Sequence, residues 1–327
     1  GRVIPPGGIP LNVGTVVSNV GTILNISDAI KGNPVTDKYV SVLGEVYKPL
    51  ILKFPIGTSV MNCIEAAGGA KTKSFNAIMG GPMMGKVLNM EELKNRVITK
   101  TDGGIIVIPE DHFLVNCKNR QIKHIINQAK AACIQCSACT QMCPRHLLGH
   151  PLRPHKIMRA MSFLENNQDV IKSALICSEC GICEMYACPM GLSPRKVNVY
   201  LKGLLREKGI KFESGKKELK PDPDRNYKEI SVSRLVMRLN LMKYKDDIIS
   251  DEAQEIKVSR VNIPLRQHIG KSAAPIVSVG ENVVKGQLIA EVSYEDMGAN
   301  IHASISGKVT EINDNIVIQS DDSEVVL

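Results

Sequence analysis

Aromatic side chains are scarce in this sequence, and long hydrophobic runs are absent. Only 4% of the 327 residues are aromatic, and there is no Trp. Aliphatic side chains and Met must therefore fill the cores. No stretch reaches the roughly eighteen consecutive apolar residues that a membrane-spanning helix requires. The sequence therefore predicts no membrane span.

The N-terminus lacks both an initiator Met and a secretory signal. It begins Gly1-Arg2-Val3-Ile4, with no charged segment leading into an apolar one. We expect a cytoplasmic, reduced protein, and the missing Met suggests the downstream part of a longer polypeptide. The net charge of +8 is modest for this length and is spread among acidic residues. This distribution disfavours a nucleic-acid partner.

Cysteine, in contrast, is concentrated, because eight of the ten fall in two runs of the same form. The first run is Cys133-Ile-Gln-Cys136-Ser-Ala-Cys139-Thr-Gln-Met-Cys143-Pro144. The second run is Cys177-Ser-Glu-Cys180-Gly-Ile-Cys183-Glu-Met-Tyr-Ala-Cys188-Pro189. Three cysteines at every third position can surround one face of a cubane cluster, and a fourth before a proline completes the ligand set. The runs predict two [4Fe–4S] clusters.

The fourth cysteine of each run is expected to serve the other cluster, as in two-cluster bacterial ferredoxins. On that rule the first cluster is held by Cys133, Cys136, Cys139 and Cys188. The second is held by Cys177, Cys180, Cys183 and Cys143. The second run has four residues before its last cysteine where three are usual, so we expect a one-residue bulge there.

Disulfides and zinc are the alternative uses of these cysteines. Disulfides require an oxidising compartment, for which no signal peptide is present. Structural zinc usually takes separated C-x-x-C pairs rather than two triplets each followed by Cys-Pro. Cys63 and Cys117 lie outside the runs and are predicted to be buried small hydrophobes. Three histidines near Cys143 are expected to hydrogen-bond near the clusters or lie at the surface, not to bind metal; they are His146, His150 and His155.

The hydrophobic pattern predicts an α+β multidomain chain. Its segments are 1–37, the tail of an α/β domain; 38–117, a β-grasp-like module; 118–206, a two-cluster ferredoxin-like domain; 207–256, a linker and helix; and 257–327, an all-β barrel sandwich. In the first segment, residues 13–17 predict a buried strand, followed by a helix capped near Ser27.

The β-grasp-like module is predicted from a ββαβ order. Its elements are strands at residues 39–43 and 50–54, a helix beginning at Thr58 or Ser59, and a strand at residues 75–79. A further strand is expected at residues 104–108. The ferredoxin-like segment should contain amphipathic helices at residues 118–132, at residues 153–164 and after Pro194.

The last seventy residues contain short apolar strands separated by glycines, which indicates a lipoyl- or biotinyl-type barrel sandwich. A carrier domain of that type needs a lysine at the tip of its hairpin. No lysine lies between Gly286 and Gly307. We therefore expect a structural module without a covalently attached carrier group.

Several of these motifs together resemble one family, the cobalamin (corrinoid) reductases of propanediol-utilisation microcompartments. They are Pro5-Pro6-Gly7-Gly8, Asn19-Val20-Gly21-Thr22, the module ending in Gly80-Gly81-Pro82-Met83-Met84-Gly85, the double cysteine run and the barrel sandwich. The resemblance implies that residues 38–117 are the module called SLBB. It also implies an electron path from NADH through FMN and two [4Fe–4S] clusters to cob(II)alamin.

The resemblance further implies partners, a location and a flavin site. The acceptor would be cobalamin, a corrinoid enzyme or an adenosyltransferase, inside a microcompartment and near a shell protein. FMN and NADH would bind a Rossmann-like domain of which this sequence contains only the final part, without a glycine-rich nucleotide loop. By motif match, Asn19 and Thr22 would lie at the edge of the flavin.

Two other functions remain open at this point. The RnfC-type component of Rnf membrane complexes shares the SLBB module and the two clusters, but it carries its barrel sandwich before the flavin domain. The other alternative is a scaffold protein in which metal only stabilises the fold. Domain order favours the reductase over the Rnf component, and two adjacent clusters favour a redox relay over a scaffold.

Overall fold

The computed structural model describes residues 2–162, 168–213, 219–245, 247 and 253–320. The helices are α1 Val20–Ile30, α2 Val60–Ala66, α3 Met90–Lys94, α4 Phe113–Asn119, α5 Ile122–Ala132, α6 Ala138–Gln141, α7 Pro144–Leu147, α8 Pro154–Ala160, α9 Gln168–Lys172, α10 Pro194–Glu207 and α11 Val232–Arg238. The strands are β1 Asp37–Gly44, β2 Leu50–Pro55, β3 Phe75–Met79, β4 Lys86–Leu88, β5 Gly104–Pro109, β6 Gln254–Glu255, β7 Arg260–Pro264, β8 Ala274–Pro275, β9 Asn282–Val283, β10 Leu288–Glu291, β11 Ile301–His302, β12 Gly307–Ile312 and β13 Asn315–Gln319. None of the described helices is long and apolar enough to cross a membrane.

The chain forms two compact units. One contains residues 1–17 and 113–245, and the other contains residues 18–112 and 246–327. This grouping is coarser than the five predicted segments, whose boundaries stay predictions.

A mixed six-stranded sheet organises the second unit, in the order β4-β3-β5-β1-β2-β6. Strands β1 and β2 form an antiparallel hairpin, whereas β1 and β5 are parallel. Helix α2 begins after Ser59, whose hydroxyl accepts a hydrogen bond from the Met61 amide at 3.2 Å. Its buried side chains, Val60, Cys63 and Ile64, join the core of the sheet. The predicted ββαβ order is therefore present, and β4 and α3 are additions that the pattern did not predict.

The same unit contains a barrel sandwich with two small sheets, in the orders β11-β10-β8 and β7-β13-β12-β9. Fully buried aliphatic side chains such as Ile289 and Val309 fill its core. Gly307 has φ 153°, and a Cβ there would lie 2.1 Å from the carbonyl oxygen of Gln319. Only glycine allows the two backbones to approach so closely. This sandwich confirms the all-β architecture predicted for the C-terminal part.

The first unit is helical around the two cysteine runs. Its core contains the buried side chains Ile125 of α5, Ile157 of α8 and Leu201 of α10. Helix α5 ends with Cys133 as its C-cap, so the first cysteine loop leaves the packed helix directly. A short 3-10 helix, Ser173–Ile176, leads in the same way into Cys177. Packed helices therefore fix the start of each cysteine loop.

Two expectations for the N-terminal segment are wrong. Residues 13–17 form no strand, and Val16 and Val17 are 80% and 73% exposed; no neighbouring strand among the described residues accepts and donates their ladder hydrogen bonds. Helix α1 begins at Val20 rather than near Ser27. The Asn19 side chain caps it by accepting from the Gly21 amide at 2.9 Å, and Asn is a strong N-cap residue.

The helix predicted for residues 118–132 is also wrong in its start, because α4 and α5 are separate helices. Leu114, Val115 and Cys117 bury one face of α4, which the sequence interpretation missed. Cys63 and Cys117 are both buried, as predicted. Helix α8 ends at Ala160, and the predicted helix end near Leu164 lies outside the described residues.

Candidate metal centres

Four cysteines from both runs line a first pocket, which we call site 1. They are Cys133, Cys136, Cys139 and Cys188. Cys139 and Cys188 are buried, and Cys136 is exposed. The last cysteine of the second run therefore lies with the triplet of the first, which is the grouping that crossed ligation requires.

A second pocket, site 2, is lined by the other four cysteines. They are Cys143, Cys177, Cys180 and Cys183. Cys143 is buried as the N-cap of α7, where Pro144 occupies the first helical position and has no amide hydrogen to satisfy. Helix geometry thus holds the last cysteine of the first run at the second triplet.

The extra residue of the second run is accommodated in a π-helical turn, Cys183–Ala187. The first run has an ordinary α-helical turn at the matching place, α6. A π-helical turn takes one more residue than an α-helical turn, so the chain can absorb an insertion without moving its ends. The one-residue bulge predicted from the spacing is therefore this turn, and Cys188 still reaches site 1.

Hydrogen bonds to sulfur are present at both sites. At site 1, Gln135 Nε2 donates to Cys133 Sγ at 3.1 Å, and the Leu192 amide donates to Cys188 Sγ at 3.4 Å. These donors favour thiolate over thiol, because they stabilise negative charge on sulfur.

At site 2 both donors converge on one sulfur. The Glu179 amide and Asn198 Nδ2 lie 3.4 Å and 3.5 Å from Cys177 Sγ. The side chain of Asn198 is buried, and its Oδ1 has no hydrogen-bond partner among the described residues. Asn198 therefore belongs to the site rather than to the surface of α10.

The buried thiols strongly resist ionisation without a counter-charge. Burial, followed by the neighbouring cysteines, raises the pKa of Cys139 to about 12. Burial raises the pKa of Cys143 to about 11 and that of Cys183 well above its ordinary value. A metal ion that binds a thiol displaces its proton, so the sulfur is held as a thiolate. Eight thiols in two tetrads with N–H donors thus fit two four-thiolate metal clusters.

The three nearby histidines differ in their surroundings. His155 lines site 1, and its Nδ1 lies 2.7 Å from the hydroxyl oxygen of Thr140. His150 is buried, and neither ring nitrogen has a hydrogen-bond partner among the described residues. Burial lowers the pKa of all three histidines, including His146. For His155 the expected hydrogen bond is in place, through Thr140. For His150 the expectation is wrong, because this side chain is buried rather than at the surface and its ring makes no hydrogen bond among the described residues.

Helix α10 supplies polar groups that the sequence interpretation missed, because it considered only the apolar face of this helix. Arg195 Nε donates to the carbonyl oxygen of Glu179 at 2.9 Å. Lys202 Nζ donates to the carbonyl oxygen of Cys177 at 2.9 Å and to Glu179 Oε1 at 2.7 Å. Residues 195, 198 and 202 have the i, i+3, i+7 spacing of one helix face. That spacing was the signal available in the sequence.

A buried carboxylate also escaped the sequence interpretation. Glu184 follows Cys183 in the π-helical turn, and burial raises the pKa of its carboxyl. Arg195, Lys196 and Arg120 oppose this rise by Coulomb attraction. Its oxygens make no hydrogen bond of normal geometry among the described residues, although the Lys196 amide faces them.

Asn19 and Thr22 lie in the other unit. The Asn19 side chain acts as the N-cap of α1. Thr22 is exposed in the first turn of that helix. Their position at a flavin stays a prediction.

Comparison with known proteins identifies families that match this chain and the region of its two pockets. Three family models match: the SLBB domain at residues 39–87, the 4Fe-4S dicluster domain at residues 132–193 and the RnfC barrel sandwich hybrid domain at residues 243–327. The cobalamin reductase PduS of Citrobacter freundii is 39% identical over 97% of this chain and 69% of its own length. That of Salmonella typhimurium strain LT2 is 41% identical with the same coverage.

The chain belongs to the cobalamin reductase family. Membership confirms the resemblance that the motifs indicated, and it makes the chain part of an oxidoreductase family with iron–sulfur clusters. An RnfC-type component of the proton-translocating ferredoxin:NAD(+) oxidoreductase complex of Clostridium ljungdahlii is 35% identical, over 45% of this chain and 29% of its own length. The similarity to the cobalamin reductases is therefore the more extensive one.

Proposed function

We propose that this chain carries electrons through two [4Fe–4S] clusters as part of an NADH-dependent cobalamin reductase. The observation that carries the proposal is the gathering of eight cysteines into two tetrads within a 4Fe-4S dicluster domain. Membership of the cobalamin reductase family supports cob(II)alamin as the acceptor.

The ligand sets of this proposal are the crossed ones. The triplet of the first run and Cys188 would hold the cluster at site 1. The triplet of the second run and Cys143 would hold the cluster at site 2. The lining of the two pockets and the π-helical turn at Cys183–Ala187 support this assignment.

The clusters, when bound, supply reversible one-electron storage. The protein residues bind them, exclude water from the buried sulfurs and direct N–H groups at Cys133, Cys177 and Cys188. Such donors stabilise the more negative reduced state. The crossed arrangement ties both cysteine runs into one core, so the two sites have a fixed separation. Electron transfer between them would need no movement of the chain.

FMN and NADH enter the proposal through residues 1–37, proposed as the end of a flavin-binding domain. Several apolar side chains of α1 are exposed, among them Val20, Ile23 and Ile30. Their exposure supports a contact between this helix and the rest of the proposed flavin-binding domain. Asn19 and Thr22 would lie at the flavin edge. The chain spans 69% of the length of the curated cobalamin reductases it matches.

The partners and location are proposed on the family alone. A corrinoid enzyme or adenosyltransferase would present cobalamin, and a shell protein would hold the reductase in a microcompartment lumen. The Rnf alternative has less support, because its relatives match about half as much of the chain. If the metal only stabilised a scaffold, the N–H groups that donate to the cysteine sulfurs would have no redox role.

Metal analysis and redox titration of anaerobically purified protein test the proposal. We expect about eight iron and eight acid-labile sulfide per chain, brown absorbance that bleaches with dithionite, and recovery of the colour on adding cob(II)alamin. Stoichiometric zinc without iron would refute the proposal. A protein with iron that does not cycle would support the scaffold instead. A version extended at the N-terminus should bind FMN and accept electrons from NADH, which this chain alone should not.

A further inference from the structure

One face of α10 contacts the second cysteine triplet. Arg195, Asn198 and Lys202 all bond to residues 177–179, through the Glu179 carbonyl, the Cys177 sulfur and the Cys177 carbonyl. Lys202 also pairs with Glu179 at 2.7 Å, with side-chain exposures of 12% and 34%. The charge of Lys202 is therefore balanced by a carboxylate of the same loop.

Arg195 differs from Lys202 because its bond goes to a neutral carbonyl oxygen. Glu184 attracts Arg195, but it attracts Lys196 and Arg120 as well. The guanidinium of Arg195 thus brings a positive charge to the lining of site 2, and the one carboxylate that attracts it is shared with two other cations. The described residues that line site 1 include no Lys, Arg, Asp or Glu.

Hydrogen bonds alone do not distinguish the two sites. Each has described N–H donors to sulfur, at 3.1 and 3.4 Å in site 1 and at 3.4 and 3.5 Å in site 2. The two sites differ instead in charge. The fixed charge of Arg195 lies at the lining of site 2, and the described lining of site 1 has no such charge.

We propose that Arg195 selectively raises the reduction potential of the cluster at site 2, so that one residue makes the two clusters unequal. This inference rests on the proposed function, since it presupposes the clusters. Reduction by one electron adds one negative charge to a site, with no proton required, and a nearby fixed cation stabilises that charge. Arg195 is therefore a residue that tunes site 2 and does not itself bind metal.

The test compares Arg195→Gln with the wild type by anaerobic redox titration, followed by electron paramagnetic resonance. We expect two potentials in the wild type and a fall of only one of them in the variant. The expected shift is about tenfold in the reduction equilibrium, which corresponds to about 59 mV for one electron. Arg195→Lys keeps the charge and should keep most of the potential.

Arg206→Gln is the matched control, because it removes the same charge from an exposed position about three turns further along α10. It should shift neither potential. If Arg195→Gln binds too little iron, Arg195→Met supplies the same comparison with another neutral side chain. Two clusters whose potentials are unchanged, or fall equally, would overturn the inference and leave the proposed function standing. Wild-type protein without clusters would overturn both.

Discussion

Gln135 and Glu179 occupy the same position in the two cysteine loops and share one backbone conformation, with φ of 56° and 60°. Each directly precedes the second cysteine of its triplet. Their side chains act differently, because Gln135 donates to a cysteine sulfur, whereas Glu179 pairs with Lys202. The two loops therefore repeat one backbone structure and carry different electrostatic surroundings.

A second pair of equivalent positions, two residues further along each loop, offers a matched test of that backbone conformation. Ser137 and Gly181 have φ of 63° and 83°, a region that costs a non-glycine residue about 1–2 kcal/mol. Ser137→Gly relieves this strain but adds freedom to the unfolded chain, so we expect it to be stabilising by at most about 1 kcal/mol. Gly181→Ser should destabilise by about 1 kcal/mol or more. Anaerobic thermal denaturation measures both, and shifts in the same direction would contradict the common conformation.

Crossed ligation predicts which cluster each terminal cysteine affects. Cys188→Ala should convert the cluster of site 1 toward a three-iron form, because its triplet Cys133, Cys136 and Cys139 remains. Cys143→Ala should do the same at site 2. Electron paramagnetic resonance of each variant, alone and combined with a change in either triplet, assigns the damage. Damage confined to the cluster of the same run would show that ligation is not crossed.

Cys63 and Cys117 should not take part in metal binding. Both are buried, neither is among the residues that line site 1 or site 2, and burial raises the pKa of both thiols. A Cys63→Ala, Cys117→Ala double variant should therefore keep the full iron content while losing some stability from the missing sulfur atoms. Cys139→Ala, which changes a buried cysteine within site 1, is the positive control and should lose iron. Iron loss in the double variant would argue against the eight-cysteine assignment.

The amine of Lys118 should make stability rise at alkaline pH. Burial, followed by repulsion from Arg195, lowers its pKa to about 8 from an ordinary value of 10.5. The unfolded chain therefore binds more protons between these two pH values, so unfolding becomes less favourable as the pH rises through them. The gain is complete above the unfolded pKa and is lost as the pH falls through about 8.

Substitution isolates this contribution from other groups that titrate in the same range. Lys118→Met should remove part of the rise in the free energy of unfolding between about pH 8 and pH 10.5. Lys123→Met, at an exposed position of α5, is the control and should leave the rise unchanged. Identical pH profiles for wild type and Lys118→Met would contradict the shifted pKa.

Local features of the sequence were enough to predict much of the fold. The strands at residues 39–43, 50–54 and 75–79 were predicted to within one or two residues. Alternation in the first two and the continuous apolar run of the third are both local patterns. The spacing of the cysteine runs likewise indicated two tetrads and the one-residue bulge. The strand predicted at residues 13–17 was wrong because a strand needs a neighbouring strand as its hydrogen-bond partner, and a local sequence pattern does not show whether one is present.

What only the tertiary structure decided is how charge is distributed around the two tetrads. Arg195, Asn198 and Lys202 are ordinary polar residues of an amphipathic helix in the sequence, and their spacing does not say what they face. Packing of the apolar face of α10 against α5 and α8 turns these polar groups toward the second triplet. Thiol spacing along the chain is a local property, so the sequence by itself determined that there are two cysteine tetrads. Their electrostatic difference depends on contacts between residues distant in sequence, which only folding brings together.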